Sequence, residues 1–155
     1  MKKILLTVWC TLMVAFTMNA QTSSGNEVVD EWLENADIVT SIFENELNKQ
    51  GYKIKIRVYF DSENNELVYR YRFLNQATFE LFNIDDVKLC LYEGIAGIIK
   101  VFMAKDDTGN TLAWLGNTFK SSNTGMRMDF IYKNKKKTAS ATADEIMEFV
   151  YKSFQ

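Results

Sequence analysis

Two stretches of this chain alternate apolar and polar residues with a period of two, and this pattern constrains the fold more than any other feature. The first covers residues 52–74 and is divided by a polar run, and the second covers residues 126–142 with a turn expected at Asn134-Lys135. Neighbouring side chains of a strand point to opposite sides of a sheet, so each stretch predicts a β-hairpin with one apolar face.

Stretches with the 3.6-residue period of an amphipathic helix surround the two hairpins. They cover residues 26–50 and about 84–105, and a last helix follows a capping box at Thr142 and Glu145. A short helix is also expected near residues 112–119. The order predicts an α+β fold, in which a helix precedes two β-hairpin-helix units. The hairpins are expected to merge into a four-stranded antiparallel sheet with helices packed on one face.

The first twenty residues have the layout of a signal peptide. Lys2 and Lys3 precede the apolar run 4–16, and cleavage is expected after Ala20. That run is shorter than the roughly 20 residues of a membrane-spanning helix, so we expect no transmembrane segment in the mature form. We therefore predict a signal peptide at 1–20, a single domain at 21–155, and export to the periplasm, cell surface or exterior of a Gram-negative bacterium.

After cleavage the chain would keep one cysteine, Cys90, and a net negative charge of 16 Lys and Arg against 20 Asp and Glu. A single cysteine forms no internal disulfide, and its position in an apolar helical run predicts a buried, inert thiol. The chain has no His, which excludes Ser-His-Asp and Cys-His catalytic systems and His-ligated zinc.

No residue pattern indicates a catalytic, metal or cofactor site. The segment Asp106-Asp107-Thr108-Gly109-Asn110 lacks the alternate acidic spacing and the final Glu of a calcium loop. No carboxylate pair lies in an apolar setting, and no Ser lies in a recognisable strained turn. We therefore expect a protein that binds rather than catalyses.

The polar side of the hairpins is rich in cations. Two registers of the first turn place either Arg70 or Arg72 opposite Arg57, so like charges face each other in both, which costs stability. Arginine suits a bidentate grip on carboxylate, phosphate or sulfate. The alternative is a solvated face balanced by acidic side chains from loops or the first helix. The candidate ligand-binding residues are Lys55, Arg57, Tyr59, Arg70, Arg72 and Arg127.

Three functional hypotheses follow. The first is the binding of an acidic ligand or envelope protein on the arginine-bearing face. The second is a structural module of the cell envelope, a weak homodimer in which the acidic first helix of one copy meets the basic face of another. The third is a hydrolase that works without His. Export and the acidic balance argue against nucleic acid as a partner. The lysine cluster at residues 133–137 forms a basic hairpin tip, which predicts solubility and protection of the strand edge or, as the alternative, attraction to a membrane surface.

Two tracts of the chain carry a resemblance to known proteins. They are YRYRF, which precedes a polar stretch and an apolar helix, and GMRMDFIYKN in the second hairpin, together with the Asn-Ala-Gln end of the signal. In this layout the chain resembles small exported domains of unknown function from Bacteroidetes-type gut bacteria. The resemblance implies a fold and a location, and it transfers no active-site residue.

Overall fold

The pattern of alternating and helical segments is realised as five helical and four extended elements within residues 27–105 and 116–153, which the computed structural model of the protein describes. The predicted signal peptide at 1–20 and the segment 106–110 lie outside these residues. In chain order the elements are α1 Glu27–Lys49, β1 Ile54–Asp61, β2 Glu66–Phe73, α2 Gln76–Glu80, α3 Ile84–Lys105, a π-helical turn Gly116–Ser121, β3 Gly125–Tyr132, β4 Lys135–Ala141 and α4 Ala143–Ser153.

Side-chain caps explain where α3 and α4 begin. The Asn83 side chain accepts from the main-chain N–H of Asp86 at 2.9 Å, and the Asp86 carboxylate accepts from the N–H of Asn83 at 2.8 Å. Thr142 and Glu145 form the same reciprocal arrangement before α4, as the sequence predicted. None of the described helices is long and apolar enough to cross a membrane.

The sheet has the strand order β1-β2-β3-β4, and it is mixed. Both hairpins are antiparallel as predicted, but β2 and β3 are parallel, so the prediction of a wholly antiparallel sheet is wrong. The physical reason is the connection between the hairpins. It contains α2 and α3 and returns the chain to the end of the sheet where β2 begins, so that Gly125 pairs with Glu66. A parallel neighbour needs a crossover of this kind.

The turns determine the strand registers. Residues 62–65 form a four-residue turn between β1 and β2. Of the two registers expected for this hairpin, the turn selects the one in which Arg57 faces Arg70 and Lys55 faces Arg72. The second hairpin turns at Lys133-Asn134 and not at Asn134-Lys135 as expected, because Lys133 takes the left-handed conformation at φ 50° and Tyr132 pairs with Lys135.

One face of the sheet is apolar and builds the core together with the helices. α1 packs on β1, and α3 packs on β3 and β4. Phe119 of the π-helical turn is fully buried, and Cys90 of α3 is only 1% exposed, which confirms the prediction of a buried thiol. The sheet contributes Ile54, Ile56, Leu67, Tyr69, Tyr71, Phe73, Met126, Met128, Phe130, Ala139 and Ala141 to this core.

α1 also closes part of the outer edge of β1. The Asn48 side chain donates to the carbonyl of Ile54 at 3.0 Å and accepts from the N–H of Ile54 at 2.7 Å. Two residues further along β1, the Glu44 carboxylate accepts from the N–H of Ile56 at 2.8 Å. These side chains take the place of a neighbouring strand at the first half of β1.

Candidate functional site

The second face of the sheet is polar, and it contains all six candidate residues. Because side chains alternate along a strand, the pairing of the four strands defines which residues share this face. We call it the polar face, and its members are Lys55, Arg57, Tyr59, Asp61, Glu66, Val68, Arg70, Arg72, Arg127, Asp129, Ile131, Lys136, Thr138 and Ser140.

A fully buried carboxylate, Asp129, lies at the centre of the polar face. Its Oδ1 lies 3.0 Å from Nζ of Lys136 and accepts from the Thr138 hydroxyl at 3.0 Å. Nε of Arg127 is 3.6 Å from Oδ1, and Nη2 of Arg70 is 3.8 Å from Oδ2. Asp129 therefore compensates part of the charge of three cations, mostly through separations longer than a hydrogen bond.

Arg127 is enclosed by carboxylates. Its Nη2 donates to Asp61 at 2.8 Å and its Nη1 to Glu66, and its side chain is only 15% exposed. Hydrogen bonds from the Asn64 side chain and then from Arg127 lower the pKa of Asp61 from 3.8 to about 2. The charge of Arg127 is therefore neutralised by carboxylates within the sheet.

Tyr59 and Arg70 form a pair on neighbouring strands. The Arg70 guanidinium carbon lies 4.9 Å from the centre of the Tyr59 ring, and its Nη2 donates to the Tyr59 hydroxyl. The Arg70 side chain is 41% exposed, so part of it is still in contact with solvent. This pair borders the region that remains open.

Three cations of the polar face stay exposed and make neither an ion pair nor a hydrogen bond with any side chain that the structure describes. We call Lys55, Arg57 and Arg72 the free cationic patch. Lys55 lies directly opposite Arg72, and Arg57 lies opposite Arg70. Residues opposite each other in an antiparallel pair have Cβ atoms about 5 Å apart, so the patch concentrates three positive charges in a small area.

The structure divides the six candidate residues into three groups. The free cationic patch holds three, Tyr59 and Arg70 contact each other at its border, and Arg127 is neutralised away from it. The sequence analysis does not identify the acids that neutralise Arg127, because Asp61 and Glu66 stand at the two ends of the polar run that divides the first alternating stretch. The signal was present, since the alternation of β1 and β2 continues through both residues.

The lysine cluster of the second hairpin is also largely engaged. Nζ of Lys135 lies 2.7 Å from Glu80, and Lys136 contacts Asp129. Nζ of Lys137 donates to the carbonyl of Phe79 at 2.9 Å, at the end of α2, and lies 3.9 Å from the centre of the Phe79 ring. The contacts of Lys135 and Lys137 hold β4 to α2, so three lysines of the cluster are engaged within the protein, whereas Lys133 is exposed.

Among residues 27–105 and 116–153, no group of three or more His, Cys, Asp or Glu side chains is placed to hold a metal ion. What the arrangement can do chemically is hold an anion at the free cationic patch, where guanidinium groups offer paired donors to carboxylate, phosphate or sulfate.

Comparisons with known proteins add no assignment to this geometry. No protein-family model matches the chain, and no curated protein and no solved structure matches it significantly.

Proposed function

We propose that this protein binds an acidic ligand through the free cationic patch of its polar face. The observation that carries the proposal is the difference between the arginines of this face. Arg127 is surrounded by three carboxylates, whereas Arg57 and Arg72 have none within contact among the described side chains. Arg57 also faces Arg70, and like charges directly opposite each other are destabilising.

An acidic ligand would remove this repulsion. Arg57 and Arg72 can each take an oxyanion through two N–H groups, and Lys55 adds a third positive charge. Tyr59 fixes the orientation of Arg70 at the border of the patch. The proposal keeps the export expected from the sequence, so the ligand would be an anion of the cell envelope or of the exterior.

The test compares two variants that lose the same charge. Arg57→Ala/Arg72→Ala removes two cations from the patch, and Lys49→Ala/Lys152→Ala removes two exposed cations from the ends of α1 and α4. Binding of polyglutamate and of inorganic polyphosphate is measured at low salt by calorimetry. We expect the patch variant to bind about tenfold more weakly, because charge-assisted hydrogen bonds are lost. The helix variant should stay within about twofold, since only a screened long-range attraction is lost.

Equal affinities of the two variants would contradict the proposal, as would the absence of binding to the unchanged protein. Light scattering over a range of salt concentrations tests whether the acidic ligand is a second copy of this chain. α1 carries seven acids against one Lys, so a salt-sensitive dimer that disappears in Arg57→Ala/Arg72→Ala would assign the ligand to α1 of another molecule.

A further inference from the structure

The outer edge of β1 changes character halfway along the strand. Asn48 binds both main-chain groups of Ile54, and Glu44 accepts from the N–H of Ile56, which shows that the even-numbered residues direct their main-chain groups away from β2. The direction alternates along a strand with a period of two, so Val58 and Phe60 also point their N–H and C=O groups outward.

No described residue takes up these groups at Val58 and Phe60. Their side chains are half-buried against the core, so the backbone at this point is held firmly in the extended conformation. An ordered strand with outward N–H and C=O groups is a template for an additional strand. The same stretch of β1 contains Arg57, and Lys55 lies two residues before it.

We propose that the partner is an extended acidic peptide segment of another protein, which binds beside Val58 and Phe60 as a fifth strand. This inference rests on the proposed function, because the same free cations would hold the acidic side chains. Residues two apart on a strand share a face and are separated by about 6.8 Å. If acids occupy alternate positions of the added strand, the acid that lies opposite Arg57 also lies diagonal to Lys55.

The free cations favour an acidic occupant at this edge, because its acidic side chains would lie on the polar face beside Arg57, whereas Glu44 of α1 is already bonded to the N–H of Ile56. At the opposite edge of the sheet, β4 has its Lys136 engaged with Asp129 and its Lys137 with the end of α2. A second copy of β1 would offer no free acid from this strand, because Asp61 is already bonded to Arg127. An acidic segment of another protein would supply the negative charge that a second copy of β1 lacks.

The experiment separates main-chain pairing from simple attraction of anions. The probes are a capped hexapeptide of alternating Asp and Val, and inorganic polyphosphate. Val58→Pro removes the outward N–H without disturbing the pairing with β2, since proline is tolerated at the open side of an edge strand. Val58→Ala is the matched control for loss of the side chain. We expect Val58→Pro to weaken peptide binding about tenfold and to leave polyphosphate binding within about twofold.

A second measurement uses the unchanged protein, so the test does not depend on the folding of the proline variant. Two further hexapeptides carry N-methyl groups at one or the other set of alternate amides, so each keeps its charge and loses half of its main-chain donors. The form that is methylated at the amides facing β1 should bind about tenfold more weakly. Equal binding of both methylated forms and of the unmethylated peptide would overturn this inference and leave the proposed function intact. Failure of Arg57→Ala/Arg72→Ala to weaken either probe would overturn both. A dimer that is lost in Val58→Pro would replace the peptide with a second copy.

Discussion

At the scale of single residues, the arginines of the polar face show how one residue type takes two roles. Arg57 and Arg127 both alternate with apolar neighbours in the sequence, which predicted the same face for both. Their neighbours differ because β3 lies beside β2, and that pairing brings Asp61 and Glu66 within reach of Arg127. The face of each arginine could thus be predicted from the sequence, whereas its ion-pair partners depend on contacts between distant segments.

Replacing Arg127 tests this division. Arg127→Leu should lower the free energy of unfolding by about 3 kcal/mol, because the buried Asp129 and its neighbouring acids lose a shared counter-charge. Denaturant unfolding measures the loss. Arg57→Leu, on the same face, should have no destabilising effect or a slightly stabilising one, since it removes repulsion from Arg70. Similar losses in the two variants would contradict the assigned roles.

The loss of stability caused by Arg127→Leu should depend on pH. The pKa of Asp61 is lowered from 3.8 to about 2, so its ionised form stabilises the fold above about pH 4, and that contribution is lost as the pH falls through about 2. Arg127 supplies part of this shift. The stability difference between Arg127→Leu and the unchanged protein should therefore be largest above pH 4 and narrow toward pH 2.

At the scale of elements, the first hairpin and the long helices follow local signals, and the shorter features do not. Caps and apolar stripes predicted α1, α3 and α4 because these signals lie within each helix. α2 was missed, although Asn75 caps it by accepting from the N–H of Ala77 at 2.8 Å. A helix of five residues has too few positions to show a period, and its end is held by Lys137 from a distant strand.

The edge of β1 provides the test at this scale. Asn48→Ala should lower the free energy of unfolding by about 1 to 2 kcal/mol, because both main-chain groups of Ile54 lose their partner. Hydrogen exchange at the Ile54 amide should become faster. Asn45→Ala changes an exposed residue of the same helix and should have little effect beyond a small gain in helix propensity. An unchanged exchange rate in Asn48→Ala would contradict the role of α1 at this edge.

At the scale of the whole molecule, the parallel pairing of β2 and β3 is the feature that the sequence did not predict. Each hairpin forms from neighbouring residues, so both could be recognised from alternation alone. Whether the second hairpin lies parallel or antiparallel to the first depends on where the connecting segment ends, and no local pattern encodes that position. The α+β class is confirmed, and the arrangement of the strands is corrected.

The burial of Cys90 offers a measure of the whole fold. Cys90 lies in α3 against the core and is 1% exposed, so a thiol reagent should reach it only when the core opens. In a Cys10→Ser variant, labelling of the native protein should be at least about a thousandfold slower than labelling in denaturant. Rapid labelling under native conditions would show that α3 separates from the core without global unfolding.

The parallel pairing also determines the order in which the chain can fold. The first hairpin can form as soon as its own residues are available. β2 can pair with β3 only after the connecting residues 74–124 have been made. During synthesis, β2 would present an unpaired strand next to apolar side chains. We expect this interval to be when the molecule is most prone to aggregate, because closing a long connection is slow compared with forming a hairpin.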